Sequence, residues 1–533
     1  MSKKIDSINQ TTKVIALCKK VFSQFDEIWL IGHKGDHHQN LIEFGIIKEN
    51  AISVAHVYST LGIKAKYIIT PPENGDDSMK SLVTELNPLI EKYVQLVIKK
   101  QRKVCVLMPF PNLHFEELIK KNNAESNFIM TAPVPDYTHY LKIENKLNVE
   151  KIVRSALSTF NNNEYLDNLL IPSIGVYKSD LNFSFFKKYF KLVPNQGIYV
   201  QKGISGGGDA TNLVKSQKEM NQVMKNKIWK NIPKNEKIKI SPEVKNIYYH
   251  TSGSVCVIPR DDKNCIVILD PLGHKPTGIK ELQGKDTTGV GNDWSTIWSE
   301  EIQQQYKLSA IAIGKELYRL FGFTGIFGPD YIIEKTEDNK FVLRLTELNP
   351  RCLGTTPYHT INALIANRIP TELVYYILKL DSDGLYTNKL LSLIGNIDNY
   401  NNISLYTKGC FYIKICSPTN SKKIQNDMNG FFIFTGQKII GPFKNLNYFD
   451  IFSKNINYQK ILQYFDIVDK YNDDWIMIYV KAPNKGDILK ASLVTIGYII
   501  GYSNNAIFST DRPTVTRYGK KLYDLVITKM YNP

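Results

Sequence analysis

The first 130 residues alternate between two patterns of apolar positions. Stretches with an apolar residue every three or four positions, as in TTKVIALCKKVFSQF, predict amphipathic helices. Short apolar runs follow them, as in EIWLIGH, KAKYIIT and KVCVLMPF, and these predict buried strands. Helices that alternate with buried strands are typical of an open sheet of mostly parallel strands. We therefore expect residues 1–135 to form an open α/β domain.

From about Asp136 onward, the pattern changes to longer strands that come in pairs. Runs such as KIKISPEV, SVCVIPR and CIVILDPLG predict strands, and IQQQYKLSAIAIGKELYRLFG has the period of a long amphipathic helix. Beyond residue 373 come hairpin-like strands such as GCFYIKI and GFFIFTG, and the segment NIDNYNNIS, which predicts a loop. We expect two further parts, residues 136–373 and a C-terminal α+β domain at residues 374–533.

Composition restricts the class of protein. With 533 residues, the chain is too long for a single hydrophobic core. Its 43% hydrophobic and 22% charged residues exclude a disordered chain, a collagen-like fibre and a coiled-coil rod. The sequence contains no run of about 18 apolar residues that would predict a membrane-spanning helix. Its polar start, MSKKIDSINQTTKV, lacks the apolar core of a signal peptide, so we expect a cytoplasmic protein with no membrane partner.

Cysteine spacing and charge narrow the range of partners. The seven cysteines are scattered and include no CxxC pair, which indicates buried thiols rather than a disulfide framework or a structural zinc site. Lysine and arginine exceed the acids by 16, and residues 201–250 hold ten lysines against four acids. Such an excess suits nucleic acid, anionic membranes or polyphosphate substrates. Because no compact basic block or RNP-like aromatic motif accompanies it, we do not expect nucleic acid to be the main partner.

A glycine triplet forms the centre of the segment YVQKGISGGGDATNLVKS. Gly206–Gly208 follow a predicted strand that ends at Lys202 and precede a predicted helix. Glycines let the backbone approach phosphate oxygens and turn its N–H groups toward them. The segment matches neither the Walker A pattern nor GxGxxG. Taken alone, a glycine triplet is more often a flexible turn than a phosphate loop.

The segment GIFGPDYIIEKTEDNKFVLRLTELNPRCLG carries a second set of candidate residues. Asp330 and Glu347 lie in predicted strands joined by the turn TEDNK, and Asn349 lies two residues beyond Glu347. Because side chains alternate along a strand, these groups can share one face of a hairpin. Carboxylate and amide oxygens are ligands suited to Mg²⁺. Taken singly, either acid is as well explained as a solvated residue of the hairpin.

Together the two segments resemble the ATP-grasp superfamily, in which two α+β lobes hold ATP between them. A lysine-tipped strand, a triple-glycine loop, an acid on one strand and ExNPR on the next occur in the family's order over residues 140–365. The string TELNPRCLG is similar to the family's E-[ILM]-N-P-R-x-x-G segment. The resemblance implies a pre-ATP-grasp domain at 1–135, an ATP lobe at about 136–250 and a metal-binding lobe at about 251–373.

The resemblance assigns residues to ATP and to the metal by their place in these motifs. Lys146 and Lys202 match lysines that contact ATP phosphates, although Asn145 stands where the family usually has aspartate. Arg351 matches the arginine that neutralises the transferred phosphoryl group, and with Lys202 it is the expected catalytic residue. The mobile loop over the phosphates corresponds to Gly206, Gly207, Gly208 and Asp209, and the metal ligands to Asp330, Glu347 and Asn349.

The adenine-binding backbone and the substrate contacts are matched less closely. In KISPEVKNIYY, the resemblance places the adenine contact at Glu243 and Val244, with the register open by one or two positions and a surface turn as the alternative. His274 and Lys275 lie where family members often have a substrate loop. His359 follows the metal motif and is expected either near the substrate or as a structural histidine at a helix start.

A histidine cluster in the first domain is a further candidate. His33, His37 and His38 follow a predicted strand, and the carboxyl edge of such a sheet commonly meets ligands. Adjacent residues on a strand point to opposite faces, so His37 and His38 are poorly placed to share a metal. We expect this segment to be a substrate-contacting loop.

The resemblance implies a carboxylate–amine ligase. In such an enzyme the γ-phosphate of ATP passes to a carboxylate, and an amine attacks the acyl phosphate to give an amide, ADP and phosphate. The expected cofactors are ATP and Mg²⁺, with Mn²⁺ as an alternative ion. The expected partners are a small-molecule carboxylate and an amine, such as an amino acid or short peptide, and a homodimer is left open. A biotin-carboxylase-like enzyme that activates bicarbonate and a non-catalytic nucleotide-binding module are the alternatives.

Overall fold

The computed structural model describes most of the chain. Its described residues are 2–31, 39–47, 52–54, 67–69, 90–108, 111–134, 136–159, 168–204, 210–261, 263–282, 289–294, 298–365, 368–402, 410–416, 422–443, 476–482, 485–486, 488–489, 495–503, 505–509 and 514–532. All statements below concern these residues.

The first domain is built on a parallel sheet. Its elements are α1 (Ser2–Phe22), β1 (Glu27–Ile31), α2 (Gln39–Glu43), β2 (Ile52–Val54), β3 (Tyr67–Ile69), β4 (Val104–Leu107), α3 (Leu113–Lys121) and β5 (Phe128–Met130). The strand order is β3-β2-β1-β4-β5, and each neighbouring pair is parallel. Strand β4 is fully buried, as a strand covered on both faces of a parallel sheet must be. The open α/β sheet predicted from the alternating pattern is confirmed.

A second, smaller sheet follows and has its own core. Its elements are α4 (Tyr137–Glu144), α5 (Val149–Thr159), β6 (Ile174–Tyr177), α6 (Phe183–Tyr189), β7 (Ile198–Lys202), β8 (Thr211–Val214), α7 (Gln217–Val223), α8 (Lys227–Lys230) and β9 (Lys237–Pro242). The order β6-β9-β7-β8 is antiparallel throughout. Val200 and Ile240 face the core on adjacent strands, so the residues that alternate with them face the other side.

A large antiparallel sheet forms the opposite half of the central region. Its elements are β10 (Ile247–Ser252), β11 (Val255–Pro259), β12 (Cys265–Leu269), β13 (Gly273–His274), β14 (Gly291–Asp293), α9 (Glu300–Phe321), β15 (Gly325–Lys335), β16 (Phe341–Asn349), α10 (Thr356–Ile365), α11 (Thr371–Leu380), α12 (Leu385–Ile394) and α13 (Ile397–Asn402). The hydroxyl of Ser299 caps the start of α9, and Gly322 ends that helix in the left-handed conformation. The long predicted helix is thus confirmed.

Five of the C-terminal strands extend the same large sheet. The elements are β17 (Cys410–Cys416), β18 (Lys422–Lys423), β19 (Gly430–Phe434), β20 (Ile439–Phe443), β21 (Ile476–Lys481), β22 (Ile488–Leu489), β23 (Thr495–Tyr502) and α14 (Arg517–Tyr531). Strands β17, β19, β20, β21 and β23 belong to the large sheet, and β18 and β22 pair with each other in a separate two-stranded sheet. Strand β17 pairs with β14, so hydrogen bonding continues across residue 374. Leu522, Val526 and Met530 of α14 are buried in a separate core beneath these strands. This part of the chain is α+β, as expected.

Two local expectations are wrong. Strand β8, rather than a helix, follows the glycine triplet, because Thr211–Val214 pair with Ile198–Gln201 of β7. The segment NIDNYNNIS was expected as a loop, yet residues Ile397–Asn402 within it form helix α13. Tertiary hydrogen bonds stabilise the helix. The hydroxyl of Tyr400 donates to the carbonyl of Ile369 at 2.8 Å, and the amide of Asn401 donates to the carbonyl of Val267 at 2.8 Å. These partners are distant in sequence, so local composition does not reveal them.

The described helices include none that meets the requirements for crossing a bilayer, in length together with apolar character.

Candidate active site

A cavity of about 310 Å³ lies between the small sheet and the large sheet. Its size is within the range of small-molecule sites. Strands β7, β8 and β9 supply one wall, and strands β10, β15 and β16 supply the other. The lining residues are Lys146, Ile171, Tyr199, Gln201, Thr211, Lys239, Ser241, Pro242, Val244, Ile247, His250, Thr251, Lys275, Thr277, Gly289, Asp330, Tyr331, Ile332, Thr346, Glu347 and Lys414.

Two carboxylates face each other in the wall of this cavity. Asp330 on β15 lies directly opposite Glu347 on β16 in the strand register, next to a bulge after Asp330. Two positions along the register, Gly328 pairs with Asn349, which brings Asn349 to the same face of β16 as Glu347. The hairpin therefore places the three predicted metal ligands side by side, as the sequence pattern predicts.

Each carboxylate has a lysine as its partner. The ammonium group of Lys146 lies 3.0 Å from Glu347, and that of Lys275 lies 2.8 Å from Asp330. Backbone hydrogen bonds position both lysines. The N–H of Lys146 donates to the carbonyl of Gly203 at 2.8 Å, and the N–H of Lys275 donates to the carbonyl of His250 at 2.8 Å. A β-carbon at Gly203 would lie 2.7 Å from the side-chain oxygen of Asn145, so this close approach requires glycine.

The lysines determine which carboxylate keeps its charge most readily. Burial alone would raise the pKa of Glu347, but Lys146 and Lys275 outweigh that effect and lower it. Burial raises the pKa of Asp330, and Lys275 only partly offsets the rise. Burial also lowers the pKa of His250 to about 4, helped by nearby Lys275, so this histidine is neutral at pH 7.

Two further lysines in the cavity were not identified from the sequence. Lys239 lies on β9 and is only 6% exposed. Lys414 lies on β17, and its ammonium group donates to the carbonyl of Gly289 at 2.7 Å. Four lysines thus face two carboxylates, an excess of positive charge that suits an anionic ligand. The available signal was a lysine between apolar residues of a strand, Lys239 in KIKISP and Lys414 in CFYIKIC.

The third predicted metal ligand, Asn349, and the predicted catalytic arginine, Arg351, lie beside the cavity rather than in its lining. The guanidinium of Arg351 donates to the side-chain oxygen of Asn349 at 2.8 Å and lies 3.6 Å from Glu144. The amide of Asn349 donates to the carbonyl of Gly328 at 3.1 Å. Burial would lower the pKa of Arg351, but Glu144 and the other nearby acids raise it, so its charge is constant.

Among the predicted adenine contacts, Val244 lines the cavity and Glu243 does not. The N–H of Glu243 donates to the carbonyl of Gly197 at 2.9 Å, and its own carbonyl accepts from the amide of Gln196 at 2.7 Å. Its carboxylate accepts from the N–H of Gly197 at 2.7 Å. Because its backbone groups and its carboxylate are already bonded, Glu243 is occupied in holding the chain after β9 against β7.

Three other predicted residues also lie outside the cavity lining. Lys202 alternates with Gln201, which does line it, and points to the opposite side, 3.9 Å from Glu236. His274 packs edge-on against Tyr249, while Lys275 beside it reaches the cavity. His359 is fully buried against Trp294. Burial lowers the pKa of both histidines, as is usual for neutral core residues.

The predicted glycine loop lies outside the described residues. Gly206, Gly207, Gly208 and Asp209 belong to residues 205–209, and His33, His37 and His38 belong to residues 32–38. In the described part of the chain, no group of three or more His, Cys, Asp or Glu side chains is arranged to hold a metal. A metal at the hairpin would therefore combine two carboxylates with an amide, a donor set that Mg²⁺ accepts.

Comparisons with known proteins identify the fold. No family model matches the chain, and no curated protein matches it. Solved structures do match. The biotin carboxylase domain of Hydrogenobacter thermophilus 2-oxoglutarate carboxylase, crystallised with MgADP, ADP and bicarbonate, has 13% sequence identity and a TM-score of 0.55. The match covers 90% of this chain and 87% of that one.

Two further structures give similar values. Biotin carboxylase from Campylobacter jejuni, solved as a β,γ-ATP complex, has 12% identity and a TM-score of 0.55, over 90% of this chain and 87% of that one. Rhizobium etli pyruvate carboxylase has 11% identity and a TM-score of 0.53, over 94% of this chain and 37% of that one. These biotin carboxylases are ATP-grasp enzymes, so the chain has the ATP-grasp fold that its sequence motifs predict.

Proposed function

We propose that this protein is an ATP-dependent ligase that activates a carboxylate as an acyl phosphate and joins it to an amine. The observation that supports this most directly is the facing pair Asp330 and Glu347, each bonded to a lysine, in the wall of a cavity with four lysines. An acid pair with surplus cations suits a metal–triphosphate complex better than it suits a neutral ligand. A nucleotide-binding module without catalysis would have no need for a metal at the far end of the phosphates.

The metal would be held by Asp330, Glu347 and Asn349, with Mg²⁺ as the expected ion and Mn²⁺ as the alternative. When bound, the ion would neutralise charge on the phosphate oxygens of ATP. Lys146 and Lys275 occupy the two carboxylates in the structure as it stands. With the carboxylates turned to a cation, both lysines would be released to donate to phosphate or substrate oxygens.

The other contacts follow from the walls of the cavity. The backbone around Ser241 and Val244 would bind adenine, since Glu243 between them is already hydrogen-bonded. Lys275 and Lys414, on the wall formed by the large sheet, would hold the substrate carboxylate. The glycines at 206–208 would cover the phosphates and exclude water from the acyl phosphate. Arg351 would neutralise the phosphoryl group during transfer.

Activation of bicarbonate is the second candidate. Bicarbonate presents a carboxylate that accepts a phosphoryl group in the same way, and one of the matching structures is a biotin carboxylase domain with bicarbonate bound. The same cavity would serve both reactions up to the acyl phosphate. The two candidates therefore differ in the acceptor, not in the use of ATP.

Product analysis tests the proposal. The protein is incubated with ATP and Mg²⁺ and a panel of amino acids, dipeptides and bicarbonate, and ADP, phosphate and product masses are measured. We expect equal amounts of ADP and phosphate, and with ¹⁸O-labelled carboxylate one label should appear in the phosphate. Phosphate release that depends on bicarbonate alone would favour the second candidate. AMP and pyrophosphate, with label in the AMP, would contradict phosphoryl transfer.

A further inference from the structure

We propose that Lys239 is the residue with which the small sheet binds the phosphates that ADP and ATP have in common. The family resemblance assigns this contact with the phosphates to Lys202 instead. The proposal rests on the proposed function, because it takes the ligand of the cavity to be a nucleotide.

Among the residues that the structure describes, Lys239 is a buried cation with no hydrogen-bond or ion-pair partner. It lies on β9, an inner strand between β6 and β7, and its side chain lines the cavity. Only 6% of the residue is exposed. Within the described residues, its ammonium group makes no hydrogen bond and no ion pair, whereas Lys146 and Lys275 in the same cavity are both paired.

A buried ammonium group without a partner is costly, because burial removes the water that stabilises its charge. Burial lowers the pKa of Lys239 to about 8, and the charge of Lys146 adds to the effect, while the more distant charges of Glu347 and Glu150 only partly oppose it. The group nevertheless remains mostly protonated at pH 7. A buried donor of this kind, facing a cavity, is expected to meet an anion there.

The position of Lys239 on its strand indicates which part of a nucleotide it meets. Lys239 and Ser241 are two residues apart, so they share one face of β9 at a separation of roughly 6.5 Å. Ser241 is at the proposed adenine end of the cavity, and Lys146, bonded to Glu347, is at the metal end. A cation between these ends would meet the phosphates near the ribose and not the terminal one.

Lys202 lacks these properties. Lys202 lies two residues after Val200 on β7, so the two side chains are on the same, core-facing side of the strand. The side chain of Lys202 is about one-third exposed, and its ammonium group lies 3.9 Å from the carboxylate of Glu236. Its charge therefore has both water and a carboxylate nearby. Since Lys202 and Lys239 belong to neighbouring regions of the same sheet, each serves as a control for the other.

The experiment compares Lys239→Met with Lys202→Met in the full-length protein. Affinities for adenosine, ADP and ATP, the nucleotides with Mg²⁺, are measured by titration calorimetry. In Lys239→Met we expect ADP and ATP to bind roughly tenfold or more weakly, since a charge-assisted hydrogen bond is lost. Adenosine should bind as before. In Lys202→Met all three affinities should stay within about twofold, and Lys239→Arg should keep most of the affinity for both nucleotides.

Thermal unfolding without ligand shows whether the variant is folded. Because Lys239→Met removes an unpaired buried charge, its melting temperature should equal or exceed that of the unchanged protein. Unchanged ADP affinity in Lys239→Met, a loss confined to ATP, or a larger loss in Lys202→Met would overturn the assignment and leave the proposed function standing. If the unchanged protein binds neither ADP nor ATP, the proposed function itself fails and this assignment fails with it.

Discussion

At the scale of single residues, the site is explained by how it holds two like charges together. Asp330 and Glu347 are adjacent across the hairpin, Asp330 buried and Glu347 partly buried, an arrangement that tends to drive one carboxylate to bind a proton. Lys146 and Lys275 oppose this by placing one positive charge beside each carboxylate, although the pKa of Asp330 stays above its ordinary value. The two carboxylates are therefore balanced by two lysines before any metal binds, and the predicted metal ligands lie close together.

This balance makes Glu347 a direct test of the metal site. Glu347→Gln should lower ATP turnover with Mg²⁺ by roughly 10²-fold or more, because a charged ligand of the metal is lost. Initial rates of ADP formation over a range of Mg²⁺ concentrations measure the effect. The matched control is Glu334→Gln on the same hairpin, because Glu334 pairs with Arg344 away from the cavity lining. Equal activities of the two variants would contradict the metal assignment.

At the scale of elements, the β15–β16 hairpin depends on a close approach at Gly328. A β-carbon at this position would lie 2.2 Å from a methyl carbon of Leu353, which packs over the strand. The carbonyl of Gly328 also accepts the hydrogen bond from Asn349. A small residue at position 328 therefore lets Leu353 pack against β15 and keeps the side chain of Asn349, a predicted metal ligand, in place.

Gly328→Ala should therefore destabilise the protein, by about 1–3 kcal/mol for the displaced Leu353. Urea unfolding followed by near-ultraviolet circular dichroism measures the loss. Gly354→Ala is the matched control, since a β-carbon at Gly354 would meet no atom within 4 Å. If both variants unfold at the same urea concentration as the unchanged protein, the packing of Leu353 does not restrict this strand.

At the scale of the whole molecule, Glu372 connects the first domain to the central region. Its carboxyl group accepts from the amide of Asn40 on α2 at 2.9 Å and from the hydroxyl of Thr360 on α10 at 2.5 Å. The residue is 1% exposed, and burial raises its pKa to about 7 even though these two donors oppose the rise. The folded protein therefore holds a proton here that the unfolded chain releases near pH 4.5.

The sign of the pH effect follows. Between pH 4.5 and 7 the folded state binds more protons than the unfolded state, so the stability from Glu372 is present below this range and is lost as the pH rises through it. Between pH 5 and 7.5 the loss should be about 2 kcal/mol or more for this group. Urea unfolding at both values measures it, and Glu372→Gln should remove that part of the pH dependence. An identical pH dependence in the variant would show that Glu372 ionises normally.

The sequence predicts a large share of the fold because its signals are local and periodic. The alternation in the first 130 residues predicts the parallel sheet, and the period of IQQQYKLSAIAIGKELYRLFG predicts α9. The placement of the two hairpin acids is equally predictable from the sequence, since a short turn and period-two alternation are enough to place Asp330 opposite Glu347. Helix α13 and strand β8 are exceptions: buried hydrogen bonds from Tyr400 and Asn401 outweigh the loop-like composition of α13, and pairing with β7 makes a strand of Thr211–Val214.

The cavity itself was decided by the tertiary structure. Side chains on β7 and β9 alternate between two faces, and the packing of the two sheets determines which face meets the cavity. In the observed packing, Lys239 lines the cavity and Lys202 does not. A shift of one residue would turn each side chain to the opposite face. Lys414 comes to the cavity because β17 pairs with β14, more than 100 residues earlier in the chain. A motif specifies neighbours along the chain, whereas long-range strand pairing and the packing of two sheets specify which charges meet across the space between them.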